Sequence, residues 1–275
     1  VSWNALYETA ARRVNDGWTA EMAIPFKSLR YPTRGPDEPH LWAIQLERDI
    51  EGKNEAVTWS PISSNVTGFI TQMGVLRGLS NLTTSRNLEL LPTVTAVNTG
   101  NLNTTTGEFV TDNGNEGGIG VKYGITSNLT FDFTFNPDFS QIGSDVPQIA
   151  VNQRFPLLFP ELRPFFLEGR EVYEIPGPVT TLHTRTIVDP RFGAKLTGKI
   201  GRTGIGLLFA DDEAPGNISD TAAPAFEKSA KVLAVRAKYE LYRESHIGAI
   251  YTDREFLASY SRLSGIDGRF RLNPR

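Results

Sequence analysis

Leu129–Gly169 reads LTFDFTFNPDFSQIGSDVPQIAVNQRFPLLFPELRPFFLEG, and this stretch decides the fold. Its opening alternates without a break: Leu129, Phe131, Phe133 and Phe135 face one way, and Thr130, Asp132, Thr134 and Asn136 the other. Period two is the signature of a strand with one apolar and one polar face. The strand runs into a long irregular segment, rich in Phe and Pro, with charges set among the aromatics. A strand feeding such a segment is a more specific device than a hairpin return.

The pattern continues outward from there. Glu116–Ile125 places Ile119, Val121, Tyr123 and Ile125 opposite Gly118, Gly120, Lys122 and Gly124, and Thr126-Ser127-Asn128 turns the chain into the phenylalanine strand. Phe192–Ile200 sets Phe192, Ala194, Leu196 and Ile200 against Lys195, Thr197 and Lys199; the turn Gly201–Gly204 leads into Ile205–Ala210. Lys231–Tyr242, His246–Thr252 and a shortened Gly265–Asn273 complete the series, with long polar loops expected at Asn98–Asn115 and Asp211–Ser229. Strands of about 9–11 residues, with tight turns at one end and long loops at the other, fit a transmembrane barrel. A soluble antiparallel sheet packed on a core gives the same alternation. Charges on the presumed inner face, glycines within strands and the aromatic segment favour the barrel.

Val1 to about Leu79 has a different texture. All four tryptophans lie there, Trp3, Trp18, Trp42 and Trp59, with short strands expected at Gly17–Ile24, Leu41–Asp49 and Glu55–Ser60 around a Pro-rich loop. This reads as the end of a β-sandwich. The expected organisation is thus all-β: the C-terminal part of a sandwich over 1–79, then an incomplete antiparallel transmembrane barrel over 87–275 with a lumen-facing loop. Without an initiator Met or a signal segment, the 275 residues read as an internal piece of a longer protein.

Composition excludes several classes. A net charge of −3 gives no basic face for nucleic acid. The absence of cysteine removes disulfides, thiolate metal sites and a Cys nucleophile. No apolar run approaches the ~20 residues of a membrane helix, which leaves a barrel open.

The aromatic segment also resembles a known family: bacterial outer-membrane β-barrel proteins of unestablished function that carry a family-nine carbohydrate-binding-like domain ahead of the barrel. The resemblance rests on Asn136-Pro137-Asp138-Phe139-Ser140-Gln141, Asp145, Arg154-Phe155, Leu158-Phe159-Pro160-Glu161 and Arg163-Pro164-Phe165-Phe166-Leu167-Glu168-Gly169. GWTAEMAIPFKSLRYP (Gly17–Pro32), with LWAIQLERD and TWSP, is similar to the sandwich of that family, and GAKLTGKIGRTGIGLL (Gly193–Leu208) to the hairpin after the motif. The basic segment before that hairpin is reduced here to Thr184-Arg185-Thr186-Ile187. The resemblance implies a bacterial outer-membrane location, with membrane lipid and carbohydrate as partners.

Inside a barrel, irregular backbone is tolerated where protein surrounds it, and buried charges need partners of opposite sign. Asp138, Asp145, Arg154, Glu161, Arg163 and Glu168 are therefore the expected polar network fastening the segment to the wall, with a gate or a structural filling as its two roles. Trp3 and Trp59, near strand ends, are the candidate sugar platforms, while Trp18 and Trp42 read as core. No catalytic residue, metal site or cofactor is expected. Asp211-Asp212-Glu213 and Asp37-Glu38 read as solvated loop acids, His40, His183 and His246 lack ligand spacing, and Asp112–Glu116 only faintly matches a calcium loop. The functions in contention are binding or passage of saccharide-type solutes, a glycoside-hydrolase-related activity, and a structural role in the envelope.

Overall fold

The computed structural model describes residues 7–29, 31–35, 37–66, 68–82, 88–102, 104–139, 159–175, 180–242 and 245–272. Two compact units emerge, Pro25–Ser85 and the pair Val1–Ile24 with Arg86–Arg275.

The N-terminal strands form two-stranded ribbons. β1 (Glu8–Val14) and β2 (Gly17–Ala23) make an antiparallel hairpin with Arg13 opposite Trp18. Trp18 is 58% exposed, against the expectation of a core residue, because this ribbon carries no second layer among the described residues. In the Pro25–Ser85 unit, β3 (His40–Ile44) and β4 (Leu46–Ile50) divide the expected single strand, and β5 (Glu55–Trp59) pairs with β4. β6 (Gly74–Leu79) pairs with β3. Trp42 does sit in a small aromatic cluster, its ring centroid 5.6 Å from Phe26 and 5.5 Å from Tyr31.

The larger unit is dominated by one eight-stranded antiparallel sheet in sequential order. It comprises β7 (Leu88–Leu102), β8 (Phe109–Thr126), β9 (Leu129–Phe135), β10 (Pro190–Ile200), β11 (Thr203–Asp212), β12 (Ala230–Glu240), β13 (His246–Phe256) and β14 (Ser259–Arg269). β7 and β14 are its edges, and the eight strands do not close on each other. The loop expected over Asn98–Asn115 is mostly strand: β7 and β8 stay paired out to Leu102 opposite Phe109. That pairing also places Asp112–Glu116 in β8 rather than in a calcium-binding loop. Cross-strand pairing overrides the weak β-propensity of its Asn and Gly residues.

Register puts Leu90, Val94, Ile119, Phe131, Phe133, Phe135, Leu196, Leu207, Val235, Ile247 and Ile266 on one face. Among the described residues of this unit that apolar face has no second layer, and Val94 and Ile266 are about 90% exposed (89% and 90%). The polar face is the covered one: Thr130, Asp132, Thr134, Lys195, Thr197 and Arg236 are all buried. An ordinary half-solvated sheet has the opposite polarity, greasy side in and polar side out.

Two segments between β9 and β10 provide the cover. Residues 159–175 include α1 (Pro164–Leu167) and a 3-10 turn at Arg170–Val172; residues 180–189 return the chain to β10. Phe166, Tyr173 and Ile187 from these segments pack with Leu208, Ala210, Val232 and Ala234 to form the core. β12 is consequently apolar on both faces over Val232–Val235, where it runs under the packed insert.

Candidate functional site: the insert on the polar face

The insert begins where β9 ends. Asn136 adopts a left-handed backbone (φ 43°), its N–H donates to the Arg191 carbonyl at 2.7 Å and its side-chain amide donates to the Gly117 carbonyl at 3.0 Å. Asn tolerates this conformation better than other side-chain-bearing residues. Pro137 comes next, has no N–H for a ladder and ends the strand. Asp138 then accepts a hydrogen bond from Thr95 on β7.

Glu161 and Arg163 form a buried clasp. The Arg163 guanidinium donates to both Glu161 carboxylate oxygens, at 2.8 and 2.7 Å, to the Ile187 carbonyl at 2.5 Å and to the Thr184 carbonyl at 2.8 Å. Glu161 also accepts from the Thr184 hydroxyl at 2.6 Å and from the backbone N–H groups of Leu162 and Arg163. Burial works against the charged form of Glu161, but the hydrogen bonds from Arg163 and Thr184 outweigh it and hold the carboxyl below its usual range. The guanidinium lies 4.3 Å from the centroid of Phe166 and 5.1 Å from that of Phe139. The clasp ties the outgoing segment to the returning one, and its hydrogen-bonding capacity is nearly used up within the protein.

Glu168 sits at the end of α1, where its side chain meets Lys122 of β8 at 2.8 Å. Its carbonyl accepts from the Lys195 ammonium at 2.7 Å, and the Phe165 carbonyl accepts from the same group. A cation suits this place because carbonyls at a helix end lack partners and carry negative charge. Lys195 is itself buried, 3.6 Å from Asp132.

Rings of the insert rest where the wall has no side chain. A Cβ on Gly193 would lie 2.9 Å from the Phe165 ring, and one on Gly206 would lie 2.8 Å from the Tyr173 ring. At Gly169 (φ 71°) the insert backbone approaches β10 so closely that a Cβ would lie 2.5 Å from the Thr197 hydroxyl. Only glycine fits that position without strain.

Asp211 and Asp212 correct the reading of a solvated acid cluster, since both are buried on β11. Asp212 accepts from the Val188 and Asp189 N–H groups at 3.1 and 2.8 Å and meets Arg254 of β13 at 3.3 Å. Arg254 also donates to the Thr186 carbonyl at 2.7 Å. The return segment is thus stitched to two strands.

Of the residues expected in the network, Asp138, the Glu161–Arg163 pair and Glu168 make three separate fastenings rather than one cluster; Asp145 and Arg154 lie outside the described residues. Lys122, Lys195, Thr95, Thr184 and Asp212 were not foreseen. One signal for the two lysines existed: Lys122, Asp132 and Lys195 fall directly opposite one another across β8, β9 and β10. Trp3 is outside the described residues. Trp59 is half-exposed, and its ring tip lies so near Gly74 that a Cβ there would be 2.9 Å away. Among the described residues no three His, Cys, Asp or Glu side chains converge in a metal-binding group.

A family model described as a domain of unknown function (DUF5916) matches residues 84–178, the span from the start of β7 through the insert. No curated protein and no solved structure matches the chain.

Proposed function

We propose that this chain forms part of the wall and the inner filling of a bacterial outer-membrane β-barrel that binds or passes saccharide-type solutes. The observation that carries the reading is the inverted polarity of the sheet. A face of Phe, Leu, Ile and Val on eight adjacent strands, uncovered among the described residues and backed by buried Lys, Asp, Thr and Arg, suits lipid on one side and a polar interior on the other. In lipid the unpaired edges of β7 and β14 would have to be closed by further strands, since exposed backbone groups find no partners there. The insert, fastened to β7, β8, β10 and β11, supports a plug or constriction rather than an open channel.

The saccharide class is carried by the resemblance of 1–79 to the end of a family-nine carbohydrate-binding-like sandwich, with Trp3 and Trp59 as its candidate platforms. The test is insertion. Expressed with an export signal and together with strands that close its sheet, the chain is expected in the outer-membrane fraction and to float with vesicles. Phe133→Arg, at the middle of the open face, is expected to weaken insertion by about 2–4 kcal/mol, the cost of a basic side chain at the bilayer midplane. A chain that stays soluble without detergent, or a Phe133→Arg variant that inserts as well as the parent, would overturn the reading.

A further inference from the structure

The apolar face of the eight-stranded sheet has a sloping edge. Register places Pro92 of β7, Phe135 of β9, Lys231 of β12 and Tyr260 of β14 in one row across the strands. Followed from the tight turns toward the long loops, the outward positions of each strand carry no amide or charged side chain up to a definite residue. That residue is Asn98 on β7, Asn115 on β8, Arg191 at the bulge of β10, Asp211 on β11, Lys231 on β12, Asp253 on β13 and Arg262 on β14. β9 reaches Phe135 without one, and there the insert begins.

These residues do not lie level. Asn98 stands six positions beyond the row and Asn115 four, Asp211 and Lys231 stand on it, and Asp253 and Arg262 fall two short of it. The edge thus slopes by eight positions over the seven steps from β7 to β14. The tight turns slope with it: Leu129, Thr203 and His246, which follow them, lie six, eight and nine positions short of the row. At about 3.4 Å per residue and about 4.8 Å between strands, the edge is inclined by about 40°. Strands of transmembrane barrels tilt by about 35–45°, so a flat apolar slab crossing such a wall leaves this edge on it. A second protein layer packed on the face imposes no constant step per strand.

The edge also has the chemistry of a membrane surface. Phe192, Phe209, Tyr251 and Tyr260 each stand within two positions of it on their strands, where a barrel carries its aromatic girdle. Its charges are of both signs, with Arg191 meeting Asp211 at 2.6 Å and Arg262 meeting Asp253 at 3.0 Å. Mixed charge complements the phosphate and amine of lipid head groups, whereas charge facing hydrocarbon is costly.

We propose that this edge is the contact line with the lipid head groups, so that the strands cross the bilayer at about 40° and the β7–β8 hairpin beyond Asn98 stands clear of it. The proposal rests on the membrane reading under Proposed function; the slope and the level rest on register.

The experiment measures depth with nitroxide labels. The chain has no cysteine, so one substitution gives it a single thiol to label. Assembled with the strands that close its sheet, the chain is inserted into phosphatidylcholine vesicles. Collisions of the label with oxygen and with a water-soluble nickel chelate are then compared. Phe133, Leu233 and Arg262 occupy one row across the strands. Phe133→Cys is expected near the bilayer mid-plane, Leu233→Cys shallower and Arg262→Cys among the head groups, a span of about 15 Å over five strand steps at this incline. Asn98→Cys is expected at the level of Arg262→Cys, although eight positions of register separate them. Tyr260→Cys keeps the Arg262 ion pairs and is expected to be at least as open to the nickel chelate as Arg262→Cys. Equal depth along the Phe133 row, or different levels for Asn98→Cys and Arg262→Cys, overturns the proposal. Vesicle flotation of the same preparations separates the two claims. Chains that float with level strands remove the slope and keep the membrane wall, and chains that do not float remove both.

Discussion

Replacing Arg163 by alanine removes a side chain that serves both arms of the insert at once. Glu161 would keep the Thr184 hydroxyl and two backbone N–H donors but lose its counter-charge, and the Thr184 and Ile187 carbonyls would lose their donor. Breaking one side of a buried ion pair costs about 3–5 kcal/mol, because the remaining charge is left uncompensated. Native-state hydrogen exchange is the assay, read on the amides of 159–175 and 180–189 against those of β11 and β12. The insert amides are expected to lose about 3–5 kcal/mol of protection and the strand amides less. Glu161→Gln with Arg163→Met provides the control. If the clasp is the cause, the double variant loses less than the two single variants combined, by up to about 3 kcal/mol. The clasp also sets a pH dependence. The folded-state pKa of Glu161 lies below its ordinary value of 4.5. Its stabilisation is therefore complete above pH 4.5 and is lost as pH falls through the lower folded value. Arg163→Ala amides that exchange within about 0.5 kcal/mol of the parent, a change usual for an inconsequential surface site, would refute the reasoning.

The other contacts yield sharper local tests. Gly169→Ala combines a left-handed backbone penalty of about 1–2 kcal/mol with overpacking against Thr197, for a loss of about 2–4 kcal/mol in urea unfolding. Adding Thr197→Ala should recover part of that loss, whereas an additive double variant would place the strain elsewhere. Asp212→Ala removes the acceptor for Val188 and Asp189 and the partner of Arg254; about 2–4 kcal/mol of protection should vanish from residues 186–189. Asp212→Asn, which keeps an acceptor oxygen, should lose less, and equal losses would assign the effect to charge alone.

The strands were legible where period two was clean. β2, the second part of β8 and most of β9 to β13 fall where alternation places them, since each has one uniform face. β1 and β6 carry no such pattern: ETAARRV and GVLRGL mix residue types on both sides. β14 starts at Ser259 because it pairs with β13 from there, and alternation misses this start because the outward positions Tyr260 and Arg262 break the apolar series. Arg262 is held there by Asp253 at 3.0 Å and Glu255 at 2.5 Å, a pairing that only register reveals. The insert showed itself through composition, but its partners did not. Lys195 and Asp212 look, in sequence, like any polar residue on a wet strand face or at a strand end. What distinguishes them is burial, and burial depends on a segment that is distant along the chain.

The fastenings of the insert all fall on inward positions of their strands: Thr95, Lys122, Lys195, and the glycine seats at 193 and 206. Because a strand alternates sides at every residue, a slip of one position would turn the slipped strand's own fastening groups outward, out of line with the rest. The insert thus acts as a gauge for the sheet. Thr and Gly alone specify alignment weakly, and a flat run of them could pair in several ways. With the insert docked, only one alignment presents an ammonium to the end of α1, a bare backbone to Phe165 and another to Tyr173. Correct strand alignment and a seated insert are therefore a single event, and a wall assembled out of step has nothing to hold the insert in place.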